Sequence, residues 1–415
     1  MITVVGTGTG APVPAEVLAG ARLVVGGRRH LAAAPVPADA EQVVLGALPP
    51  ALDVIERHLE KQNPVVVLAS GDPGFFGIVR VLAERFGARA LDVRPGVSSV
   101  AAAFARAGLP WDDAVVVSAH GRDLRTAVNV CRARPKVAVL TGPGAGPAEL
   151  GAALRADARV LVVASALGSA RERLERVTPA EAAARDWGDA VNVVLCLDES
   201  RALGPVRTVA GPPAGPAAWA LQEDEFTHRD SMITKFEVRA LALARLGPRL
   251  GDLVWDIGAG SGSVAVECAR FGAAVTAVEK TLDGVERIRA NAAAHGVDVR
   301  VVHGAAPTVL SDLDDPDAVF VGGGGRELPA VVTACARRAR RTVVVAMAAL
   351  DRVPAVRAAL TGAGFDCDGV LLQSSRLAPL PGDVTRLAAT NPVFLLWGVR
   401  PHAPEREPER EGVAQ

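Results

Sequence analysis

The feature that most constrains the fold is a repeated alternation of short apolar runs with alanine-rich amphipathic stretches along almost the whole chain. Most of the apolar runs are continuous, which is typical of strands that are covered on both faces. Stretches such as 52–60 and 76–86 space their apolar residues by three and four, as helices do. The pattern predicts an α/β protein, with the first half in two lobes.

The alternation is interrupted once, by a stretch rich in proline and glycine at 204–217, which is typical of a linker between domains. Before it, strands are predicted at 2–5, 23–25, 64–69, 90–93, 114–117, 136–140, 159–164 and 191–197. After it, strands are predicted at 253–257, 274–279, 299–302, 318–321, 342–347, near 369–375 and at 393–398, the last two as a hairpin. Helices are predicted between them at 235–244, 263–271, 283–295, 328–338 and 353–363.

These boundaries predict a domain at 1–203, a linker at 204–222, a second domain at 223–399 and a tail at 400–415. The tail is rich in proline, glutamate and arginine, and we expect it to be disordered. A chain of 415 residues is long for one domain, so two compact units are the natural expectation.

Composition argues against several classes of protein. The net charge of −1 and the aromatic content of 4% argue against nucleic-acid binding. The five cysteines are far apart, which predicts neither a metal site nor disulfides and suits a reducing cytoplasm. No apolar run is long enough for a membrane span, and the chain begins directly with a strand-like run, so we expect no leader and a cytoplasmic protein.

Almost all basic residues are arginine. A GC-rich genome would explain this bias, and it would also explain the abundance of alanine. The planar guanidinium also suits a ligand that carries many carboxylates. The genomic and the functional interpretation are compatible.

The sharpest motif is a glycine-rich turn between a predicted strand and a predicted helix, Asp256-Ile257 followed by Gly258-Ala259-Gly260-Ser261-Gly262. Glycines there let backbone N–H groups approach a ligand. Asp256 would lie near the ammonium group of S-adenosylmethionine (SAM), and Glu279, at the end of the next strand, can accept the ribose hydroxyls. A nicotinamide dinucleotide site and a merely structural turn are the alternatives.

Around this motif the chain resembles the CbiT family of decarboxylating precorrin methyltransferases. The resemblance rests on residues 233–240, 253–263, 302–307, 317–323 and 386–394. It implies a Rossmann-like class I SAM methyltransferase domain in which Thr234 contacts SAM, Gly258 through Gly262 wrap its methionine end, Glu279 holds the ribose and Ala306 lies against the adenine. No catalytic residue is assigned.

The first half carries several turn motifs at the ends of predicted strands: residues 6–12, 69–77, 95–99 and 118–122. Together they resemble the tetrapyrrole methylase superfamily, in particular its CbiE branch. The resemblance implies a two-lobed class III SAM methyltransferase over about residues 1–200. Its implied cofactor contacts are Gly8, Gly71, Asp72, Ser98 and Ser99. His120 is either a satisfied turn histidine or, with Arg122, a partner for a substrate carboxylate.

The two resemblances together imply two SAM sites, one in each domain, and C-methylation of precorrin-6B at carbons 5 and 15. They also imply decarboxylation of the ring-C acetate, giving precorrin-8X in cobalamin biosynthesis, and a homo-oligomer. Arg239 and Arg376 are candidates to hold the peripheral carboxylates of the substrate. The alternatives are a single-site corrinoid methyltransferase with a non-catalytic N-terminal module and a nucleic-acid methyltransferase. No metal is expected.

Overall fold

The computed structural model describes residues 1–10, 12–188, 191–211, 215–229 and 232–401. These residues form two compact units, one from 1–127 and 135–211, the other from 128–134 and 215–401. Inside the range predicted as linker, the Gly211 N–H donates to the Asp112 carbonyl at 2.7 Å, and Ala220 is buried. The domain limits and the linker stay predictions.

The first unit contains two sheets of five strands each. Its strands are β1 Ile2–Thr7, β2 Leu23–Gly26, β3 Glu41–Val44, β4 Val65–Ser70, β5 Leu91–Arg94, β6 Val115–Ser118, β7 Lys136–Leu140, β8 Val160–Ser165, β9 Arg173–Val177 and β10 Asn192–Leu197. The helices along this part of the chain are α1 Ala15–Leu18, α2 Arg28–Ala33, α3 Leu48–Glu60, α4 Val79–Phe86, α5 Ser99–Ala107, α6 Leu124–Ala133, α7 Pro147–Ala153 and α8 Pro179–Ala183.

The two sheets of the first unit differ in direction. The first has the order β3-β2-β4-β1-β5 and is parallel throughout, whereas the second has the order β6-β7-β10-β8-β9 and is mixed. Every strand predicted in this half is confirmed. The sequence missed β3 and β9, which lie at sheet edges and are largely exposed, so they lack the continuous apolar run of a covered strand.

The second unit is built on one sheet of seven strands in the order β13-β12-β11-β14-β15-β19-β16. Its strands are β11 Leu253–Ile257, β12 Ala274–Glu279, β13 Arg300–His303, β14 Ala318–Val321, β15 Thr342–Met347, β16 Asp366–Leu372, β17 Ser375–Leu380, β18 Val384–Ala389 and β19 Val393–Val399. The helices are α9 Phe236–Leu246, α10 Ser263–Arg270, α11 Leu282–Ala294, α12 Leu328–Arg338 and α13 Val353–Gly362.

This sheet is parallel up to β15, and β19 and β16 complete it in antiparallel pairing. The predicted terminal hairpin is confirmed as the pair β16–β19, but a second hairpin, β17–β18, is inserted between the two strands. The sequence missed the inserted hairpin because its apolar residues, such as Leu377 and Leu387, are exposed and follow no buried periodicity.

Each unit has its own buried clusters. In the first unit, one cluster packs β1, β2 and β4 against α3, and another packs α5 against the second sheet. In the second unit, the apolar residues of β11, β14 and β15 are buried on both faces, with Trp255 and Phe320 among the largest side chains. Burying a large apolar side chain stabilises by about 1.5–3 kcal/mol, so these strands hold their loop ends firmly.

Arg400, which the sequence placed in the tail, is ordered. Its N–H donates to the Arg341 carbonyl at 2.9 Å, and its guanidinium donates to the carbonyls of Ala339 and Ala336. The rest of the predicted tail from 402 onward lies outside the described residues. Among the described helices, none has the length and apolar character that crossing a membrane requires.

Candidate active sites

The glycine turn of the second unit joins β11 to α10, as predicted. Gly258, Gly260 and Gly262 all have positive φ, at +71°, +58° and +72°, a conformation that side chains with a Cβ rarely adopt. A Cβ on Gly258 would lie 3.1 Å from the backbone of Gly323, in the loop after β14. The turn therefore lies backbone to backbone against a neighbouring loop. The N–H groups of Gly258 and Ala259 both donate to the Val278 carbonyl, at 2.9 and 3.2 Å, which fixes the turn at the strand ends.

Glu279 ends β12 and is brought beside this turn. Its Oε2 accepts a hydrogen bond from the Gly260 N–H at 3.0 Å, and its Oε1 accepts from the N–H and the hydroxyl of Thr281, both at 2.9 Å. These three bonds fix the carboxylate at the carboxyl edge of the sheet. The structure thus joins two of the residues that the sequence selected, Gly260 and Glu279.

Asp256 lies in β11, one residue from its end, and is almost completely buried, with 1% of its surface exposed. One carboxyl oxygen accepts the N–H of Ala265 at 2.9 Å. Burial is the main reason that the pKa of Asp256 is raised to about 7; the bond from Ala265 lowers the pKa and the charge of Glu279 raises it, both by less than burial does. The site therefore contains a carboxyl group that titrates near neutral pH.

Of the remaining predicted residues of this unit, three lie in the loops that follow β11 and β13. Ser261 is buried within the turn, and Ala259 is half-buried there. Ala306 follows β13, the strand next to β12, and packs against the core. Thr234 precedes α9, and its carbonyl accepts a hydrogen bond from Arg239 at 2.5 Å.

Asn291 is a residue of this site that the sequence reasoning missed. Its amide nitrogen donates to the carbonyls of Ser261 at 2.7 Å and Thr227 at 2.9 Å, and its oxygen accepts the N–H of Thr227 at 2.8 Å. It is buried in α11. An asparagine inside an alanine-rich helix is a weak signal of such a role, because asparagine favours caps and turns over helix interiors.

The hypothesis that Arg239 holds a substrate carboxylate is wrong. Its side chain is fully buried, donates to the carbonyls of Thr234 and Leu221, and lies 3.4 Å from the carboxylate of Glu267. Its guanidinium is used within the fold and cannot reach a ligand.

Arg376 is also occupied. It lies on β17 and donates to both oxygens of Glu223 and of Glu237, at 2.7 to 2.9 Å. These bonds lower the pKa of Glu223 to about 2, and they lower the pKa of Glu237 as well. Arg376 therefore ties the inserted hairpin to the segment around α9 instead of offering a free cation.

In the first unit, the ends of β1, β4 and β5 meet through glycines. A Cβ on Gly6 would lie 2.0 Å from the carbonyl oxygen of Gly71 and 2.2 Å from the nitrogen of Gly96. No side chain fits there, so the three loops touch backbone to backbone. Gly6 was part of a quoted motif but was not selected as a site residue.

Gly71 and Asp72 lie at this junction, as predicted. Gly71 has a φ of +58°, donates to the Thr7 carbonyl at 2.8 Å and accepts the N–H of Gly96 at 3.1 Å. Asp72 uses one carboxyl oxygen to accept the N–H of Gly74 at 2.8 Å, which closes a tight turn.

The other predicted residues of this unit lie on the same edge. Ser98 follows β5 and caps α5, since its hydroxyl accepts the N–H of Ala101 at 3.1 Å. Ser99 is the first residue of α5. Gly8 follows β1 with a φ of +87°. The loops after β1, β4 and β5 thus converge at the carboxyl ends of parallel strands, where α/β proteins bind ligands.

A cluster of Arg29, His30 and Ser70 lies at the same edge and was missed by the sequence reasoning. Arg29 and His30 both contact the Ser70 hydroxyl, at 2.7 and 2.9 Å. Burial, aided by the charge of Arg29, lowers the pKa of His30 to about 4, so the ring is neutral. His30 and Ser70 are 40 positions apart in sequence, and no spacing signals their contact.

A cavity of about 740 Å³ adjoins the loop after β4. Its lining includes Phe75, Phe76, Pro110 and Trp111, and most of the others are apolar. The volume is in the range of about 300–1,000 Å³ that is usual for small-molecule sites.

His120 lies against Gly142, where a Cβ would be 2.6 Å from its Nδ1. Arg122 lies over the ring of Phe76, 5.8 Å from the ring centre. Both interpretations of His120 stay open. Among the described residues, no group of histidine, cysteine, aspartate or glutamate side chains could hold a metal ion.

Sequence comparison agrees with two methyltransferase domains in tandem. Residues 1–183 match the tetrapyrrole (corrin/porphyrin) methylases, and residues 224–398 match the precorrin methyltransferase domain. The fold and the matches together define a chain with a tetrapyrrole methylase domain followed by a Rossmann-like methyltransferase domain, as predicted.

The relatives narrow this class to one family. A precorrin-6Y C(5,15)-methyltransferase (decarboxylating) from Sinorhizobium sp. is 38% identical over 320 residues, 75% of this chain and 74% of the relative. The chain therefore belongs to the family of decarboxylating precorrin-6Y C(5,15)-methyltransferases. It is an enzyme of cobalamin biosynthesis, and its family implies the use of SAM.

Two shorter relatives are each named for one carbon. A probable cobalt-precorrin-6B C(15)-methyltransferase (decarboxylating) from Pyrobaculum calidifontis is 38% identical over 170 residues, 40% of this chain and 87% of the relative. A cobalt-precorrin-7 C(5)-methyltransferase from Salmonella typhimurium is 34% identical over 208 residues, 48% of this chain and 100% of the relative.

Proposed function

We propose that the chain binds two SAM molecules, one in each unit, and methylates precorrin-6B at carbons 5 and 15 with loss of the ring-C acetate carboxylate. The observation that carries this proposal is the presence of two separate strand-end junctions built from glycine backbone, around Gly6 and Gly71 and around Gly258 and Gly260. Such junctions bring backbone to the strand ends without Cβ obstruction, which leaves room there for a polar cofactor.

In the second unit, the residues present fit the cofactor. Gly258 through Gly262 would wrap its methionine end, with the carboxylate of Asp256 facing the ammonium group. Glu279 would exchange its bond to the Gly260 N–H for the ribose hydroxyls. Thr234 and Ala306 would complete the site.

In the first unit, Gly8, Gly71, Asp72, Ser98 and Ser99 would form the cofactor site. The donors would be backbone N–H groups of the loops after β4 and β5 other than those of Gly71 and Gly96, which bond within the junction. Asp72 supplies one carboxylate, of which one oxygen is used within its own turn. The apolar cavity beside Phe75 and Trp111 supports this placement, since a flat aromatic group fits among such side chains.

The chemistry requires mainly positioning. SAM, when bound, supplies a methyl group on a positively charged sulfur that is a ready leaving group. The substrate carbon is an enamine-type nucleophile, so the protein has to align the two and exclude water. Alignment of this kind can lower a barrier by about 7–11 kcal/mol in favourable cases. This explains why no acid–base dyad is needed to account for the methyl transfers.

The decarboxylation follows from the same chemistry. Methylation of the ring leaves an iminium-like system, which can accept the electron pair released when the acetate carboxylate leaves as CO₂. We assign carbon 15 and decarboxylation to the second unit and carbon 5 to the first, following the resemblances. The C(15)-methyltransferase relative is named for cobalt-precorrin-6B and the C(5)-methyltransferase relative for cobalt-precorrin-7. From this numbering we infer that the second unit acts first.

Titration with S-adenosylhomocysteine tests the number of sites. We expect two binding events per wild-type chain, and one after Gly260→Val, because a side chain at a φ of +58° strains the turn. Gly362→Ala is the matched control, since a Cβ there meets nothing within 4 Å. A single event in the wild type would favour a non-catalytic first unit.

Incubation with precorrin-6B and SAM, followed by mass spectrometry, tests the reaction. Two added methyl groups and the loss of CO₂ are expected. A product with one methyl group and no loss of CO₂ would contradict the proposal. Methylation of an RNA instead of the tetrapyrrole would favour the nucleic-acid alternative, against which the net charge of −1 argues.

We also infer a cytoplasmic homo-oligomer without nucleic-acid or membrane partners. The apolar side chains on β16 and on the β17–β18 hairpin support self-association, since Leu371, Leu377 and Leu387 are 51%, 78% and 68% exposed. Light scattering after size-exclusion chromatography would measure the state. A monomer at micromolar concentration would contradict this inference.

A further inference from the structure

The cluster of Arg29, His30 and Ser70 lies outside the residues assigned to the cofactor. Ser70 ends β4 immediately before Gly71, and its register partner on β1 is Thr7, immediately before Gly8. The Ser70 hydroxyl therefore lies at the junction where the N-terminal site is proposed. Arg29 Nη2 donates to this hydroxyl at 2.7 Å, which brings a guanidinium to the same edge.

His30 holds this arrangement in place. Its side chain is packed beneath the first turn, since a Cβ on Gly8 would lie 2.7 Å from its Cε1. Arg29 Nε lies 3.3 Å from His30 Nε2, and a guanidinium can only donate, so Nε2 carries no proton. The Ser70 hydroxyl can then donate to Nε2 and accept from Arg29. The three side chains form one consistent network around a neutral histidine.

Arg29 has no internal counter-charge in the part of the chain that the structure describes. Its contacts there are with the uncharged Ser70 hydroxyl and His30 ring, and the residue is exposed. Arg22 differs in this respect, because it pairs with Asp39. Arg376 is likewise paired with carboxylates. Arg29 is thus an exposed arginine held in position by neutral groups.

We propose that Arg29 binds a peripheral carboxylate of the tetrapyrrole in the N-terminal site, and that His30 and Ser70 position its guanidinium. This inference rests on the proposed function. A precorrin carries acetate and propionate groups around its ring, and the guanidinium matches a carboxylate with two parallel hydrogen bonds. A ring anchored beside Gly71 would lie next to the proposed cofactor turn. SAM also carries a carboxylate that Arg29 could bind. The experiment distinguishes this carboxylate from those of the tetrapyrrole.

The test compares Arg29→Gln, Arg29→Lys and the control Arg22→Gln in the full chain. The substrate is the decarboxylated tetrapyrrole that already carries the carbon-15 methyl group, so that only the N-terminal reaction is measured. We expect KM for the tetrapyrrole to rise about tenfold or more in Arg29→Gln and less in Arg29→Lys, which keeps the charge but not the fork. KM for SAM and the stoichiometry of S-adenosylhomocysteine binding should stay at the wild-type values, as should all constants of Arg22→Gln.

Ser70→Ala provides a second variant that leaves the charge of Arg29 intact. It removes the hydroxyl that positions the guanidinium, so a smaller rise in the same KM is expected. An unchanged KM for the tetrapyrrole in Arg29→Gln would overturn the inference, and so would a rise confined to KM for SAM. Either result leaves the proposed function standing. If the wild type failed to methylate this substrate at all, the proposed function itself would be refuted.

Discussion

At the scale of single residues, a few side chains have properties that their neighbours impose. Asp256 is a carboxyl group whose proton is retained to about pH 7 because it is buried. Gly6 does not have a positive φ. A side chain at this position is excluded only by the backbone of the surrounding loops. The raised pKa of Asp256 determines how the C-terminal site should respond to pH. The close packing around Gly6 determines how replacing this glycine by alanine should affect the N-terminal site.

We predict that the affinity of the C-terminal site for SAM increases with pH. At a pH below its pKa of about 7, the Asp256 carboxyl is neutral. At a higher pH it is a carboxylate, which attracts the cationic cofactor. The gain between pH 6 and 8 should be about tenfold. Calorimetric titration across this range measures the gain, in the variant Gly6→Ala, which we expect to retain only the C-terminal site. Adding Asp256→Asn to Gly6→Ala should remove the pH dependence of SAM affinity. If the affinity in Gly6→Ala alone did not change with pH, the role of Asp256 would be refuted.

We predict that Gly6→Ala disrupts the N-terminal site for steric reasons alone. The added Cβ would lie 2.0 Å from the Gly71 oxygen, so the backbone of two loops must shift. The free energy of unfolding of the first unit should fall by roughly 3 kcal/mol or less, and one S-adenosylhomocysteine site should be lost. Gly46→Ala is the control, because a Cβ there meets nothing within 4 Å. Two intact sites in Gly6→Ala would contradict the assigned junction.

At the scale of elements, the sequence predicted the strands that are buried and missed the strands that are exposed. The continuous apolar runs of β1, β4 and β11 predicted covered strands, and the glycine turns after them were placed correctly. The edge strands β3 and β9 escaped because their side chains are largely exposed. Contacts such as Asn291 with Ser261 and Arg29 with Ser70 join distant positions, and only the fold brings them together.

The β17–β18 hairpin should depend on Arg376. Its bonds to Glu223 and Glu237 tie the hairpin to the α9 segment, so Arg376→Gln should lower the free energy of local opening by about 1 kcal/mol, a modest value because the side chain is partly exposed. Hydrogen exchange of the hairpin amides measures this opening. Arg386→Gln, on the facing strand, is the control.

The sign of the pH effect on this hairpin follows from Glu223. Its pKa in the folded protein is lowered to about 2, so the contribution of the pairing is complete above the ordinary glutamate pKa of about 4.3. The contribution is lost as the pH falls from there through the folded value. Equal exchange rates in Arg376→Gln and the wild type at neutral pH would show that the pairing does not hold the hairpin.

At the scale of the whole molecule, two methyltransferase folds are joined in one chain, and their reactions are proposed to occur in a fixed order. Gly6→Ala should therefore release a decarboxylated product with one added methyl group, and Gly260→Val should return the substrate unchanged. A mixture of the two variants should restore the complete product if the intermediate leaves the first protein that forms it. Mass spectrometry of the three reactions tests the order, and a product methylated only at carbon 5 from Gly260→Val would reverse it.

The backbone junction at Gly6, Gly71 and Gly96 has a consequence for protein engineering. Because each of the three loops occupies the space where another would place its first side-chain carbon, none can be replaced by a loop from a different methylase without also replacing the other two. Attempts to alter the tetrapyrrole that this half accepts should therefore leave the turns intact. The exchangeable positions are the side chains around them, Arg29 and the apolar wall of Phe75 and Trp111.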